Sequence, residues 1–177
     1  MLKKYLITPG PVSVPEQVLL DMARPMIHHR TPEFEEIFKE ARNGLKKVFK
    51  TEQEPLILAS SGTGAMESAV INTLNQGDKV LVINGGKFGE RWIKICQAYG
   101  INAESVTIEW GRSVNPADVK AFLDKNPDTK AVFVQGSETS STVYHPVKEL
   151  AAITKDMPET LIIVDGITSS GVNDTRF

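Results

Sequence analysis

The sequence predicts a three-layer α/β/α domain on a mostly parallel sheet, and three observations carry the prediction. Strand-like and helix-like segments alternate from residue 55 onward. Several strand-like segments are continuous apolar runs, Leu161-Ile162-Ile163-Val164 above all, as expected where helices cover both faces of a sheet. The chain has 177 residues, 41% of them apolar and 24% charged, enough for one buried core. That composition excludes disordered, collagen-like and coiled-coil chains.

The elements follow in order. After an irregular start through Thr8-Pro9-Gly10-Pro11, Pro15 opens a short helix to about Arg24. A longer helix is predicted from Pro32 to about Lys50, with Phe34, Ile37, Phe38, Ala41, Leu45, Val48 and Phe49 on one face. Thr31 is its N-cap, Pro32 suits its first turn, and Glu33, Glu35 and Glu36 favour its positive end. Strands are predicted near 55–59, 79–83, 103–108, 130–134 and 160–164. Helices are predicted near 64–75, 88–99, 116–125 and 147–156, with Pro116 after Asn115 and Pro146 before Val147 marking two of the starts. Repeated strand–helix units imply right-handed crossovers and a parallel sheet. Ligands in such sheets lie beyond the carboxyl ends of the strands, so 60–64, 84–91, 136–146 and 165–171 are the loops that matter.

Charge and cysteine usage narrow the function. Lys plus Arg is 20 and Asp plus Glu is 22, a net charge of −2, without the basic stripe of a nucleic-acid or anionic-membrane binder. Aliphatic runs are too short to span a bilayer, and the apolar stretch Tyr5 to Ile7 is too short for a secretory signal. One cysteine, Cys96, excludes a disulfide framework and a cysteine-based metal site. His28 and His29 are neighbours expected to point apart, His145 precedes a proline, and no metal-ligand spacing exists. A cytoplasmic protein without metal is expected.

Four loops carry polar chemistry. Ser60-Ser61-Gly62-Thr63-Gly64 runs from a predicted strand into a helix, where free backbone N–H groups can hold a phosphate. It is not a P-loop, because Gly-Lys-Ser/Thr is missing, and Glu67 stands where a dinucleotide fingerprint needs its third glycine. The same residues would also serve as a tight packing turn. Asn84-Gly85-Gly86-Lys87-Phe88 offers an aromatic ring at a strand end, although Phe88 and Trp92, four apart, could simply pack one helix face. Gly136-Ser137-Glu138-Thr139-Ser140-Ser141-Thr142 is a hydroxyl cluster, equally suited to turn formation. Asp165 ends the most apolar strand, where a shielded carboxylate needs a partner or acts as a turn cap. Together they offer a phosphate turn, an aromatic cover, a hydroxyl and a strand-end carboxylate, which is what a pyridoxal phosphate pocket requires.

Thr8-Pro9-Gly10-Pro11, His29-Arg30-Thr31-Pro32-Glu33-Phe34, Ser61-Gly62-Thr63-Gly64-Ala65-Met66-Glu67, Gly86-Lys87-Phe88-Gly89-Glu90-Arg91-Trp92 and Val164-Asp165 resemble class V aminotransferases, nearest the alanine/serine–glyoxylate branch. The resemblance covers the whole chain. It implies the large domain of fold-type I pyridoxal-phosphate enzymes, as a homodimer at full length. Ser61, Gly62 and Thr63 would hold the phosphate and Phe88 would stack on the ring. Thr139 would bond the phenolic oxygen, Asp165 would pair with the pyridine nitrogen, and Ile167 would lie on the opposite face. Cysteine desulfurases share the fold, but their stacking residue is typically His, where this chain has Phe88.

The same resemblance implies a boundary. The family's Schiff-base lysine lies beyond residue 177, as do its small domain and its substrate-binding arginine. Residues 1–177 are therefore expected to be an N-terminal segment plus most of the cofactor-binding large domain, inactive alone. The predicted strand 55–59 would join the others only through later strands. The expected activity of the full-length enzyme is transfer of an amino group between a small amino acid and a 2-oxo acid such as glyoxylate or pyruvate. A non-catalytic phosphate-ligand-binding domain and a structural or interaction module are the alternatives.

Overall fold

The computed structural model describes residues 6–172. In chain order it contains α1 (Glu16–Met22), α2 (Pro32–Phe49), α3 (Gly62–Thr73), β1 (Lys79–Asn84), α4 (Lys87–Ala98), β2 (Asn102–Thr107) and α5 (Pro116–Lys125). These are followed by β3 (Ala131–Gln135), β4 (Ser137–Glu138), β5 (Val143–Tyr144), α6 (Val147–Thr154) and β6 (Leu161–Asp165). The main sheet has the order β2-β1-β3-β6, and every pairing in it is parallel. Because the strands run the same way, Asn84, Gln135 and Asp165 all end at one edge of the sheet.

Strand alternation builds the two cores. Val80, Val82, Ala131 and Phe133 face one layer, packed with Met66, Val70, Leu74, Trp92 and Cys96 of α3 and α4. Leu81, Ile83, Val132 and Val134 face the other, packed with Val119, Leu123, Val147 and Leu150 around α5 and α6. Successive side chains of a strand point to opposite faces, so helices on both faces leave the central strands apolar throughout. Each such buried aliphatic side chain contributes about 1.5–3 kcal/mol of transfer free energy. The three-layer α/β/α architecture is as predicted.

Thr31 caps α2 as read, accepting from Phe34 N at 3.4 Å. Asn115, directly before Pro116, caps α5 by accepting from Ala117 N at 3.1 Å. Other readings are corrected. Segment 55–59 forms no strand among the described residues, and Leu56 is 88% exposed, because no neighbouring strand offers it a ladder. β6 forms the sheet edge opposite β2, so the most apolar strand is covered less than β1 and β3. The hydroxyl cluster contains a two-stranded hairpin, β4–β5, that composition did not announce. His28 and His29 do not point apart; their rings stack at 4.7 Å. Among the described residues, no helix is long and apolar enough to cross a membrane, and no group of three metal-ligating side chains exists.

Candidate active site

The carboxyl edge of the sheet gathers the four predicted loops. At α3, Ser61 is extended (φ −72°, ψ 169°) and its carbonyl accepts from Gly64 N at 2.9 Å, which tightens the first turn. Gly62 and Thr63 N–H make no hydrogen bond among the described residues, as first-turn amides do when a side chain does not cap them. At the other end of the site, Asp165 Oδ1 accepts from Ile167 N at 3.1 Å. The turn-cap reading of Asp165 therefore holds for one oxygen, while Oδ2 has no hydrogen bond among the described residues. A Cβ on Gly62 would come within 3.2 Å of Ile167 Cδ1, so α3 starts directly against the loop after β6. A cavity of about 540 Å³ opens there, lined by Gly62, Met66, Trp92, Asp165, Ile167 and Ser169.

Phe88 does not pack against Trp92 in the core. Trp92 is buried on Phe133, with ring centroids 4.5 Å apart, whereas Phe88 is half-buried beneath the Arg91 guanidinium, 4.8 Å from the ring centroid. Arg91 Nη1 in turn donates to Thr63 Oγ1 at 3.0 Å. Thr139 Oγ1 lies 3.3 Å from Thr168 Oγ1, and Thr168 Oγ1 donates to Ser137 O at 2.9 Å. With that hydrogen spent, Thr168 can only accept from Thr139. The predicted residues thus fall into three contact groups at one sheet edge: Thr63 with Phe88 through Arg91, Gly62 with Ile167 and Asp165, and Thr139 with Thr168.

Sequence reasoning missed Glu138 as a structural centre. Its buried carboxylate accepts from Phe88 N and Gly89 N, both at 3.2 Å, and from Ser140 N at 3.1 Å and Ser140 Oγ at 2.6 Å. A carboxylate at a helix N-terminus is favoured by the free amides and the helix dipole. The available signal was an acid inside a hydroxyl cluster directly after an apolar strand. Gly86 and Gly89 permit the approach: a Cβ on Gly86 would meet Glu138 Cδ at 2.6 Å, and one on Gly89 would meet Ile83 O at 2.7 Å. His145 is also buried; its Nδ1 accepts from Val114 N at 3.2 Å, and burial lowers its pKa against the opposing charge of Glu138. Burial raises the Asp165 carboxyl above its ordinary value, the Ile167 N–H opposes the rise, Glu138 adds to it, and the Arg91 charge opposes it. Cys96 lies in the core, its thiol pushed up to about 11, and takes no part in this edge.

The family described as Aminotransferase class-V matches residues 5–174. The chain belongs to the class V aminotransferase family. Membership implies pyridoxal 5′-phosphate as cofactor. The chain is 45% identical over 171 residues to the soluble hydrogenase small subunit of Synechococcus sp. (strain PCC 6716), covering 96% of this chain and 44% of that protein. It is 40% identical over 177 residues to the serine–glyoxylate aminotransferase of Hyphomicrobium methylovorum, covering 97% of this chain and 44% of that enzyme. Among solved structures it superposes on the subgroup IV aspartate aminotransferase of Thermus thermophilus with a TM-score of 0.87 at 38% identity, over 94% of this chain and 47% of that one. This class V chain therefore spans less than half the length of these relatives.

Proposed function

We propose that the sheet edge described above is the pyridoxal-phosphate half-site of an aminotransferase. In this reading the whole protein moves an amino group between a small amino acid, such as alanine or serine, and a 2-oxo acid such as glyoxylate or pyruvate. The observation that carries the reading is the joining of the phosphate turn to the aromatic wall by one side chain, with a half-buried carboxylate at the neighbouring strand end. The donor set fits the cofactor. Unpaired amides and the hydroxyls of Ser61 and Thr63 suit a phosphate. Phe88 and Ile167 suit the two faces of a flat ring, and the Thr139 oxygen, its hydrogen donated to Thr168, is left to accept from a phenolic hydroxyl.

Bound there, pyridoxal phosphate would supply an electron sink for the bond broken at the amino-acid α-carbon. Asp165 holds the decisive proton relationship. Its carboxyl is raised by burial and forms no salt bridge among the described residues, so it would give a pyridine nitrogen held beside it a matched anion that keeps it protonated. Thr139, held by the bond it donates to Thr168, presents an acceptor oxygen at the ring edge. Ile167 and Phe88 keep water off the ring faces.

The cofactor-bearing lysine, the substrate arginine and the small domain belong, on this reading, to the part of the relatives' length that residues 1–177 do not span. The whole protein is then a cytoplasmic homodimer, and these residues alone transfer no amino group. The serine–glyoxylate relative supports glyoxylate as acceptor. The test is an amino-transfer assay on the full-length protein, with alanine, serine and aspartate as donors and glyoxylate or pyruvate as acceptor. Glycine or alanine formed only when pyridoxal phosphate is supplied is the expected result. Absence of transfer for every pair, with cofactor bound, would contradict the proposal.

A further inference from the structure

Arg91 does more than cover a ring. It opens the second turn of α4, three residues after Phe88, and reaches the first turn of α3 through Thr63 Oγ1 at 3.0 Å. Its guanidinium is 4.8 Å from the Phe88 centroid and covers one face of that ring. It pairs with no carboxylate among the described residues, although it is half-buried. Cation–π contact with a planar guanidinium restrains an aromatic ring, and the fork geometry lets a second donor be used at the same time. Phe88 belongs to neither core cluster. Its backbone is held by Glu138 and its ring by Arg91.

We propose that Arg91 is a positioning residue that ties the ring-stacking wall to the phosphate turn. It would thereby set the gap between Phe88 and α3 before pyridoxal phosphate enters. This rests on the cofactor reading of the preceding section. A rival role, direct contact with the phosphate as a simple positive charge, makes different predictions. A residue acting through Phe88 shows an effect that depends on Phe88, and neighbours in contact are coupled by measurable amounts.

The experiment is a double-mutant cycle on the full-length protein, reading pyridoxal phosphate affinity by quenching of tryptophan fluorescence. Thermal unfolding of each cofactor-free variant runs alongside. Arg91→Met is expected to weaken affinity about tenfold with Phe88 present, and far less in the Phe88→Leu background, a coupling of the size seen between contacting residues. Arg91→Lys keeps the charge but not the fork, and is expected to fall between Arg91→Met and wild type. Equal losses in both backgrounds, no loss at all, or full affinity in Arg91→Lys would overturn the inference while leaving the cofactor reading intact. A wild-type protein that binds no pyridoxal phosphate would overturn both. If Arg91→Met lowers the unfolding temperature sharply, Arg91→Lys in both backgrounds supplies the cycle.

Discussion

Burial raises the Asp165 carboxyl above its usual 3.8, with Glu138 adding to the rise, while the Ile167 N–H and the Arg91 charge oppose it. A carboxyl with a raised folded pKa contributes stability that is complete below the unfolded value and lost as pH rises through the folded one. At neutral pH the ionised Asp165 therefore weakens the cofactor-free fold. Asp165→Asn keeps an oxygen to accept from Ile167 N and removes the desolvated charge. The variant should unfold at a higher temperature than wild type at neutral pH, with the difference shrinking as pH falls toward 3.8. The same change should remove most turnover, because the amide cannot hold a proton on the pyridine nitrogen. Thermal scans across pH, paired with amino-transfer assays, check both halves. Phe88→Ala acts differently: it should weaken cofactor affinity by about tenfold, the size of an aromatic stacking contribution, and leave the core intact. Fluorescence titration with pyridoxal phosphate reads that change.

Helix α4 carries Phe88 and Arg91, and its first turn lies close against the backbone of β1. A Cβ on Gly89 would lie 2.7 Å from Ile83 O and 2.8 Å from Asn84 Cα. In an open helix, Gly→Ala would add stability. Here the helix must move off β1, so Gly89→Ala should instead destabilise by about 1–3 kcal/mol and shift Phe88 with it. Chemical denaturation of the variant gives the sign directly. Most elements at this scale were legible in the sequence. The apolar runs of β1 and β3 reported burial on both faces, and Thr31 and Asn115 reported helix starts through the hydrogen bonds they now make. Segment 55–59 was read as a strand from its apolar run, but such a run states only that the segment wants cover, not that a partner strand is at hand. The β4–β5 hairpin and Glu138 were not legible. Their meaning depends on the amides of α4 some fifty residues earlier in the chain, a tertiary fact that local pattern does not encode.

Outside the two cores, many large apolar side chains lie exposed. Neither α1 nor α2 has a buried residue, and Leu56, Ile57 and Leu58 are exposed, as are Met22 and Met26. Large exposed apolar surface marks an interface or drives association where it gathers into patches. Strand β6, at the sheet edge, also presents backbone groups that another strand could pair. Residues 1–177 made alone should therefore associate, eluting as oligomers or aggregates on size exclusion and lacking one sharp unfolding transition. A monodisperse monomer with a cooperative transition would show that these surfaces close on themselves. The central claim, that this sheet edge is the pyridoxal-phosphate half-site, is tested most directly by a crystal structure of the full-length protein grown with the cofactor. The account predicts the phosphate at the first turn of α3, within hydrogen-bond reach of Ser61 or Thr63. It also predicts the ring against Phe88 and the pyridine nitrogen beside the Asp165 carboxylate. Cofactor density elsewhere in the protein, or a pyridine nitrogen facing away from Asp165, would contradict it.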